Sequence, residues 1–279
     1  MAELTFIYEG SEPVTVEKFL MRQSGVSRRL LTRLKRIEGG ITCDGVHVRT
    51  IDIVRPGSKV VLRTQDDSFL EPNPLLCVPV VFESEDVVVF DKPPGMPVHP
   101  SVKHRTDTLG NFFASRYPGL TFRAVNRLDR DTSGLCIIAK NAHAANVLQG
   151  RCEKVYTAVV EGVTPEEGTV NAPIARQQES VILRCVREDG QPSVTHFRRI
   201  SGNDRYSLLR FRLETGRTHQ IRVHMAHIGH PLAGDDLYGG SRSDISRQAL
   251  HCCQLTFNDP KLGTITADSP LPEDIAALL

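Results

Sequence analysis

Between residues 78 and 213 the chain is dominated by short apolar runs of strand length, punctuated by Pro, Gly, Asn and Asp. Residues 78–82 and 86–90 read as two strands joined by a polar turn, and 135–139, 155–161, 195–200 and 206–213 read as four more. The run Lys92-Pro93-Pro94-Gly95-Met96-Pro97 closes the second strand, because three prolines withhold the donors a central strand needs. Helical patterning is sparser, near 109–116 and 217–228. Strands outnumber helices and do not alternate with them regularly, which excludes a doubly wound fold and predicts an α+β domain with a mainly antiparallel sheet. A chain of 279 residues that is 40% hydrophobic can bury such a core and carry a second, smaller domain.

That smaller domain is expected at the N-terminus. Residues 14–22 and 27–36 read as helices, 41–48 as a hairpin turning at Asp44-Gly45, and 59–63 as a strand. Ser27 is placed to cap the second helix and Gly39-Gly40 to end it. At about 100° per residue, Leu30, Leu31 and Leu34 share one face while Arg29, Arg33 and Arg36 fall away from it. No acidic residue lies between Arg22 and Arg36. A solvated surface helix accounts for this stripe, and so does a surface for phosphates. Residues 65–76, which contain Gln-Asp-Asp-Ser and Glu-Pro-Asn-Pro, break both periodicities and read as a linker, giving domains over 1–70 and 71–279.

Whole-chain charge points to no uniformly basic binder: 34 Lys and Arg stand against 33 Asp and Glu, a formal charge of +1, so any nucleic-acid contact must be local. Seven scattered cysteines form no Cys-x-x-Cys pair, so neither a disulfide framework nor a zinc ribbon is legible, and a reducing cytoplasm is the expected compartment. The first residues lack the pattern of a secretory signal, and no stretch approaches the roughly 20 apolar residues of a membrane span.

Two segments carry chemistry. In Asn126-Arg127-Leu128-Asp129-Arg130-Asp131-Thr132-Ser133-Gly134, two carboxylates precede an apolar strand, a costly place unless they are paired or used. Simple charge balance between Arg127, Arg130 and the two aspartates is the plainer explanation. In the second segment, Thr215 to Leu232, helical spacing puts Ile221, Met225 and Ile228 on one face and Arg222 with His219 on another, directed away from the core. Its four histidines invite a zinc reading, but the spacing supplies no clear third ligand, so no metal is expected.

Those two segments, together with Lys154-Val155-Tyr156-Thr157-Ala158, Gly234-Asp235-Asp236-Leu237-Tyr238-Gly239 and Leu250-His251, occur in the order found in RluA-type pseudouridine synthases, which residues 78–260 closely resemble. Residues 14–64 resemble the S4 family of RNA-binding modules. The resemblance implies a pseudouridine synthase fold behind a small α/β S4-like domain. It makes Asp129 the nucleophile, Tyr156 the residue stacking beside the target base, and Arg222 the ion-pair partner of Asp129. It also makes Arg127 the side chain that fills the space left by a flipped base. Arg217 and His219, with the stripe of Arg29, Arg33 and Arg36, are the expected RNA contacts.

The implied reaction breaks the uridine N1–C1′ bond, turns the held uracil and closes a C5–C1′ bond, by an aspartate adduct or an Asp-assisted elimination. It needs neither cofactor nor nucleotide. Structured RNA is the expected partner, ribosomal RNA of the large subunit before transfer RNA, and the enzyme is expected to act as a monomer. One departure stands out: Asn126 occupies a position where the family usually has His, and Asn does not titrate near neutrality. Two other readings remain open, an inactive RNA-binding or ribosome-assembly protein, and a glycosidase-like hydrolase using Asp129 with Asp131.

Overall fold

The computed structural model describes residues 2–64, 70–177 and 182–279; the start of the expected linker, residues 65–69, and the side chains of Arg29 and Thr64 lie outside the described residues. In the N-terminal part, β1 (Ala2–Ile7), β6 (Lys59–Thr64), β3 (Ile41–Cys43) and β4 (Val46–His47) form one antiparallel sheet, and β2 (Val14–Thr15) pairs with β5 (Ile53–Val54). Asp44 and Gly45, at φ 50° and 85°, make the turn between β3 and β4, the double positive-φ geometry that Asp-Gly favours. The first helix is shorter than 14–22: Val14 and Thr15 are strand, Thr15 caps α1 (Val16–Lys18), and a π-helical turn follows over Phe19–Gln23.

The second helix, α2 (Arg28–Leu34), is capped by Ser27, whose Oγ accepts from Leu30 N at 3.2 Å. It ends before Gly39-Gly40, which instead shape the turn into β3. Leu30, Leu31 and Leu34 are buried against Phe19, Ile41 and Leu62, and Arg33 and Arg36 are exposed on the opposite side. That core is built from residues 8–62 and is separate from the larger one. Residues 70–76 are irregular but fastened: Asn111 Nδ2 donates to Glu71 O at 2.7 Å.

The larger part is organised by a ten-stranded sheet. Its strands are β7 (Val80–Glu83), β8 (Val87–Lys92), β9 (Arg123–Ala124), β10 (Ser133–Ala139), β11 (Glu153–Glu161), β12 (Glu167–Asn171), β15 (Val194–Gly202), β16 (Tyr206–Leu213), β17 (Leu250–Asp259) and β18 (Gly263–Asp268). The main path runs β12-β15-β16-β11-β17-β10-β8-β7, with β18 on β17 and β9 on β10. Every pairing is antiparallel except β10 with β17. The predicted α+β class is the one observed, with α3 (Leu109–Arg116), α4 (Ala142–Leu148) and α5 (Gln220–His227) on the sheet and α6 (Glu273–Ala276) near the C-terminus. A small hairpin, β13 (Ile174–Arg176) with β14 (Arg184–Val186), stands apart from the sheet.

All seven residues of β10 are buried, so its main chain is fixed on both sides. At its start Gly134, with φ 108°, lies against β17 so closely that a Cβ would stand 2.3 Å from Cys252 O. Only glycine admits that approach. Cys252 itself is fully buried, as expected of a small apolar side chain. No helix among the described residues is long and apolar enough to cross a membrane.

Candidate active site

The charged segment before β10 is a loop held by main-chain contacts rather than a free surface turn. Asn126, buried, donates through Nδ2 to Leu135 O at 3.0 Å and accepts at Oδ1 from Ile137 N at 2.8 Å. The side chain thus occupies one acceptor and one donor of β10. A neutral imidazole also carries one donor and one acceptor, so the Asn–His exchange keeps the kind of anchor this position needs. Further along, Lys92 Nζ donates to Pro93 O at 2.8 Å and Arg130 O at 2.9 Å. Arg247 Nη1 reaches Asp131 O at 3.3 Å, and Thr132 N donates to Asp129 O at 3.2 Å.

Asp129 emerges from this loop into a cleft it shares with Arg127, Tyr156, Arg217, His219 and Arg222. Arg222 Nη1 donates to Asp129 Oδ2 at 3.0 Å, and His219 Nε2 stands 3.6 Å from the same oxygen. Asp131 goes elsewhere: Arg130 takes both its oxygens, at 2.9 and 2.8 Å. The two aspartates are therefore not presented together as a hydrolase pair would require.

Helix α5 supplies the arginine, with a correction to the expected geometry. It begins at Gln220, not Arg217, because Gln220 Oε1 accepts from Arg217 N at 3.0 Å and Thr215 Oγ1 at 2.9 Å, while His219 precedes it in a left-handed conformation, φ 58°. Nor does α5 direct its polar residues away from the core. Gln220 to Met225 are all buried, and Ile228, assigned to the apolar face, is partly exposed. Arg222, 6% exposed, turns inward because a second carboxylate waits there: Asp235, 1% exposed, accepts Nε and Nη2 at 2.7 Å each. Burial works against the guanidinium charge, but the Asp235 bonds and the nearby Asp235 and Asp129 charges outweigh it and hold Arg222 above its ordinary pKa.

Three of the segment's four histidines, His219, His224 and His230, serve as hydrogen-bonding groups. His224 uses both ring nitrogens, on Thr195 Oγ1 at 2.8 Å and Ala172 O at 2.9 Å, and His230 Nδ1 lies 2.9 Å from Glu161 O. His219 Nδ1 meets Tyr238 OH at 2.8 Å. Burial lowers the His219 pKa, partly opposed by the charge of Asp129, so the ring tends to neutrality beside the carboxylate.

Tyr156 forms a wall of the cleft from β11, registered between Phe211 of β16 and Cys252 of β17. It is 8% exposed, and burial first, with Cys252, Cys136 and Asp129 nearby, raises its phenol well above the ordinary value, so it stays protonated at neutral pH. Arg127 and Arg217 are exposed at the cleft. Arg33 and Arg36 lie on the N-terminal part and do not join this cleft; the Arg29 side chain is outside the described residues.

Asp235, Tyr238, Lys92 and Arg247 were not singled out as site residues from sequence. Asp235 and Tyr238 did lie in the motif Gly234-Asp235-Asp236-Leu237-Tyr238-Gly239, which carried the resemblance without assigning either a role. Tyr238 stacks under the guanidinium, Arg222 Cζ lying 5.0 Å from its ring centre.

The fold is that of a pseudouridine synthase, an isomerase acting on RNA. The solved structure of human RNA pseudouridylate synthase domain containing 1 aligns with a TM-score of 0.60 and 28% identity, covering 72% of this chain and 86% of that one. A family model described as RNA pseudouridylate synthase matches residues 86–227. The uncharacterized RNA pseudouridine synthase YjbO of Bacillus subtilis (strain 168) is 40% identical over 271 residues, 91% of this chain and 95% of its own length. Ribosomal large subunit pseudouridine synthase D of Pseudomonas aeruginosa is 36% identical over 269 residues, 87% of this chain and 83% of its own. The chain belongs to the RNA pseudouridylate synthase family.

Proposed function

We propose that this enzyme converts uridine to pseudouridine in large-subunit ribosomal RNA, with Asp129 as the nucleophile. The observation that carries the reading is the placement of the Asp129 carboxylate in a cleft walled by Tyr156, 3.0 Å from a buried guanidinium. Arg222 pairs with that carboxylate and aims it, while its own two-point pair with Asp235 keeps the guanidinium from moving. Tyr156 offers a flat apolar face to a uracil ring, and Arg127 at the rim fills the space the base leaves when it flips. The substrate assignment draws on relatives named for the large ribosomal subunit.

Residues 1–70 act as an S4-like RNA-binding domain ahead of a catalytic domain over 71–279. Arg33 on α2 and Arg36 just beyond its end, both exposed and with no ion pair among the described residues, supply phosphate contacts there. Transfer RNA is the second substrate reading, and the enzyme acts as a cytoplasmic monomer.

The test is tritium release from C5-labelled uridine in unmodified ribosomal and transfer RNA, wild type beside Asp129→Ala. Release from ribosomal RNA by the wild type alone is the expected outcome. Release from transfer RNA alone overturns the substrate, and undiminished release by Asp129→Ala overturns the nucleophile.

A further inference from the structure

His219 stands immediately before α5 at φ 58°, a region that few side chains other than glycine enter without strain, and strain that persists points to function. Local bonds keep it there: Val223 N donates to His219 O at 2.9 Å, and the neighbouring Gln220 is fastened to Thr215 and Arg217. Its side chain is 11% exposed and has little surface to give an RNA phosphate. We propose that His219 is a positioning residue for Asp129, a neutral imidazole whose Nε2–H is directed at the carboxylate because Tyr238 holds the other ring nitrogen as an acceptor. The inference rests on the nucleophile proposed above.

The tautomer follows from counting protons. Arg184 N donates to the Tyr238 hydroxyl oxygen at 3.1 Å. Burial pushes the Tyr238 phenol up, so the hydroxyl keeps its own proton. Among the described residues, the acceptor within reach of that proton is His219 Nδ1, at 2.8 Å. A neutral imidazole that accepts at Nδ1 carries its hydrogen on Nε2, and Nε2 is the atom that faces Asp129 Oδ2 at 3.6 Å. That separation exceeds a formed hydrogen bond, whose upper range is about 3.2 Å, and is of the kind that active sites close around substrate.

Arg222 Nη1 and His219 Nε2 converge on the same oxygen of Asp129. Oδ1 has no hydrogen-bond partner among the described residues and is the oxygen left to react. Around the ring stand Asp129, Asp235, Arg222 and Arg184, with Arg127 and Arg217 also lining the cleft. Burial lowers the His219 pKa below 6.5, the two guanidiniums assist, and the two carboxylates oppose. Protonation places a hydrogen on Nδ1 where Tyr238 presents its own, and a full positive charge against Oδ2. Acid therefore removes the neutral donor that the arrangement is built around.

The test begins with ring-nitrogen NMR of labelled protein, followed from about pH 5 to 8 across the imidazole range, with His219 assigned by its absence in His219→Asn. The wild type is expected to carry hydrogen on Nε2 at neutral pH. Tyr238→Phe, which keeps the ring beside Arg222 and removes the hydroxyl, should raise the His219 midpoint by about 0.5 pH unit, and Asp129→Asn should lower it. Single-turnover tritium release should fall in acid at that midpoint, and the fall should move upward in Tyr238→Phe. In His219→Asn, a residue the left-handed region accepts, the fall should vanish and the plateau drop roughly 10-fold with RNA affinity unchanged. A neutral wild-type ring with its hydrogen on Nδ1, a midpoint indifferent to Asp129→Asn, or a loss of RNA affinity in place of rate in His219→Asn overturns the proposal. The ring measurements need no turnover, so absent tritium release by the wild type would count against the proposed reaction while the spectra still decide the place of His219.

Discussion

Arg222 and Asp235 meet through two parallel hydrogen bonds of 2.7 Å inside the protein, and only the remaining terminal nitrogen, Nη1, is left for the carboxylate in the cleft. Removing Asp235 altogether would strand a buried charge, at a cost of roughly 3–5 kcal/mol. Asp235→Asn retains the shape and one acceptor. It is expected to fold, to bind RNA as the wild type does, and to lower kcat about 10- to 100-fold through lost aim at Asp129. Single-turnover tritium release beside an RNA-binding titration checks this; equal losses in both would show a binding role instead.

Arg127 is exposed at the cleft, with no side-chain hydrogen bond or ion pair among the described residues. Extracting a stacked base costs a few kcal/mol, and a side chain that fills the gap offsets part of it. Arg127→Ala should therefore slow reaction on a folded transcript far more than on an unstructured oligonucleotide. Comparable losses on both would remove Arg127 from base flipping.

Lys92 has no exposed surface, and burial brings its pKa from 10.5 down to about 8. Below pH 8 the amine is charged in both folded and unfolded chains, and folding bears the full desolvation cost. Between pH 8 and 10.5 the folded chain releases the proton while the unfolded chain keeps it, so stability contributed by this group rises with pH. Relative to Lys92→Met, the wild type should gain at most roughly 3 kcal/mol across that window. Urea unfolding of both proteins at pH 7.5 and 10.5 measures it; a constant difference would show that Lys92 does not change protonation on folding.

Gly134→Ala places a Cβ 2.3 Å from the Cys252 carbonyl at a φ of 108°. The parallel pairing of β10 with β17 must open. A loss of about 2 kcal/mol or more is expected, visible as a lower melting temperature. Wild-type stability would mean that the two strands can separate there without cost.

Arg247 joins the C-terminal helix to the reacting loop: Asp274 takes its Nε at 2.7 Å and Nη2 at 2.9 Å, while Nη1 reaches Asp131 O at 3.3 Å. Asp274→Ala is expected to lower kcat with little change in KM, and Asp274→Glu to restore much of it. A drop in melting temperature with kcat intact would make this pair a structural staple only.

Strand patterning was legible where alternation or apolar length set it: the segment at 206–213 became β16 and the helix at 109–116 became α3 without shift. Helix starts were less so, because they depend on side chains that reach across space. Gln220 begins α5 by accepting from Thr215 and Arg217, which no periodicity announces. Strand β1 escaped notice because it pairs with β6 some sixty residues away. Helical spacing gave Arg222 an outward face; Asp235, thirteen residues on, pulls it inward. Recognition through motifs located Asp129, Tyr156 and Arg222, and the structure brings all three to one cleft.

Asn126 gives the loop a tether whose strength does not follow acidity. An imidazole that accepts a main-chain hydrogen bond loses its lone pair on protonation near pH 6.5, and the loop it holds loosens with it. A carboxamide keeps its donor and acceptor across that range. In this chain the strap between loop and strand, Leu135 O and Ile137 N, stays fastened in mild acid. The acid limit of turnover is thereby handed to groups that face the cleft.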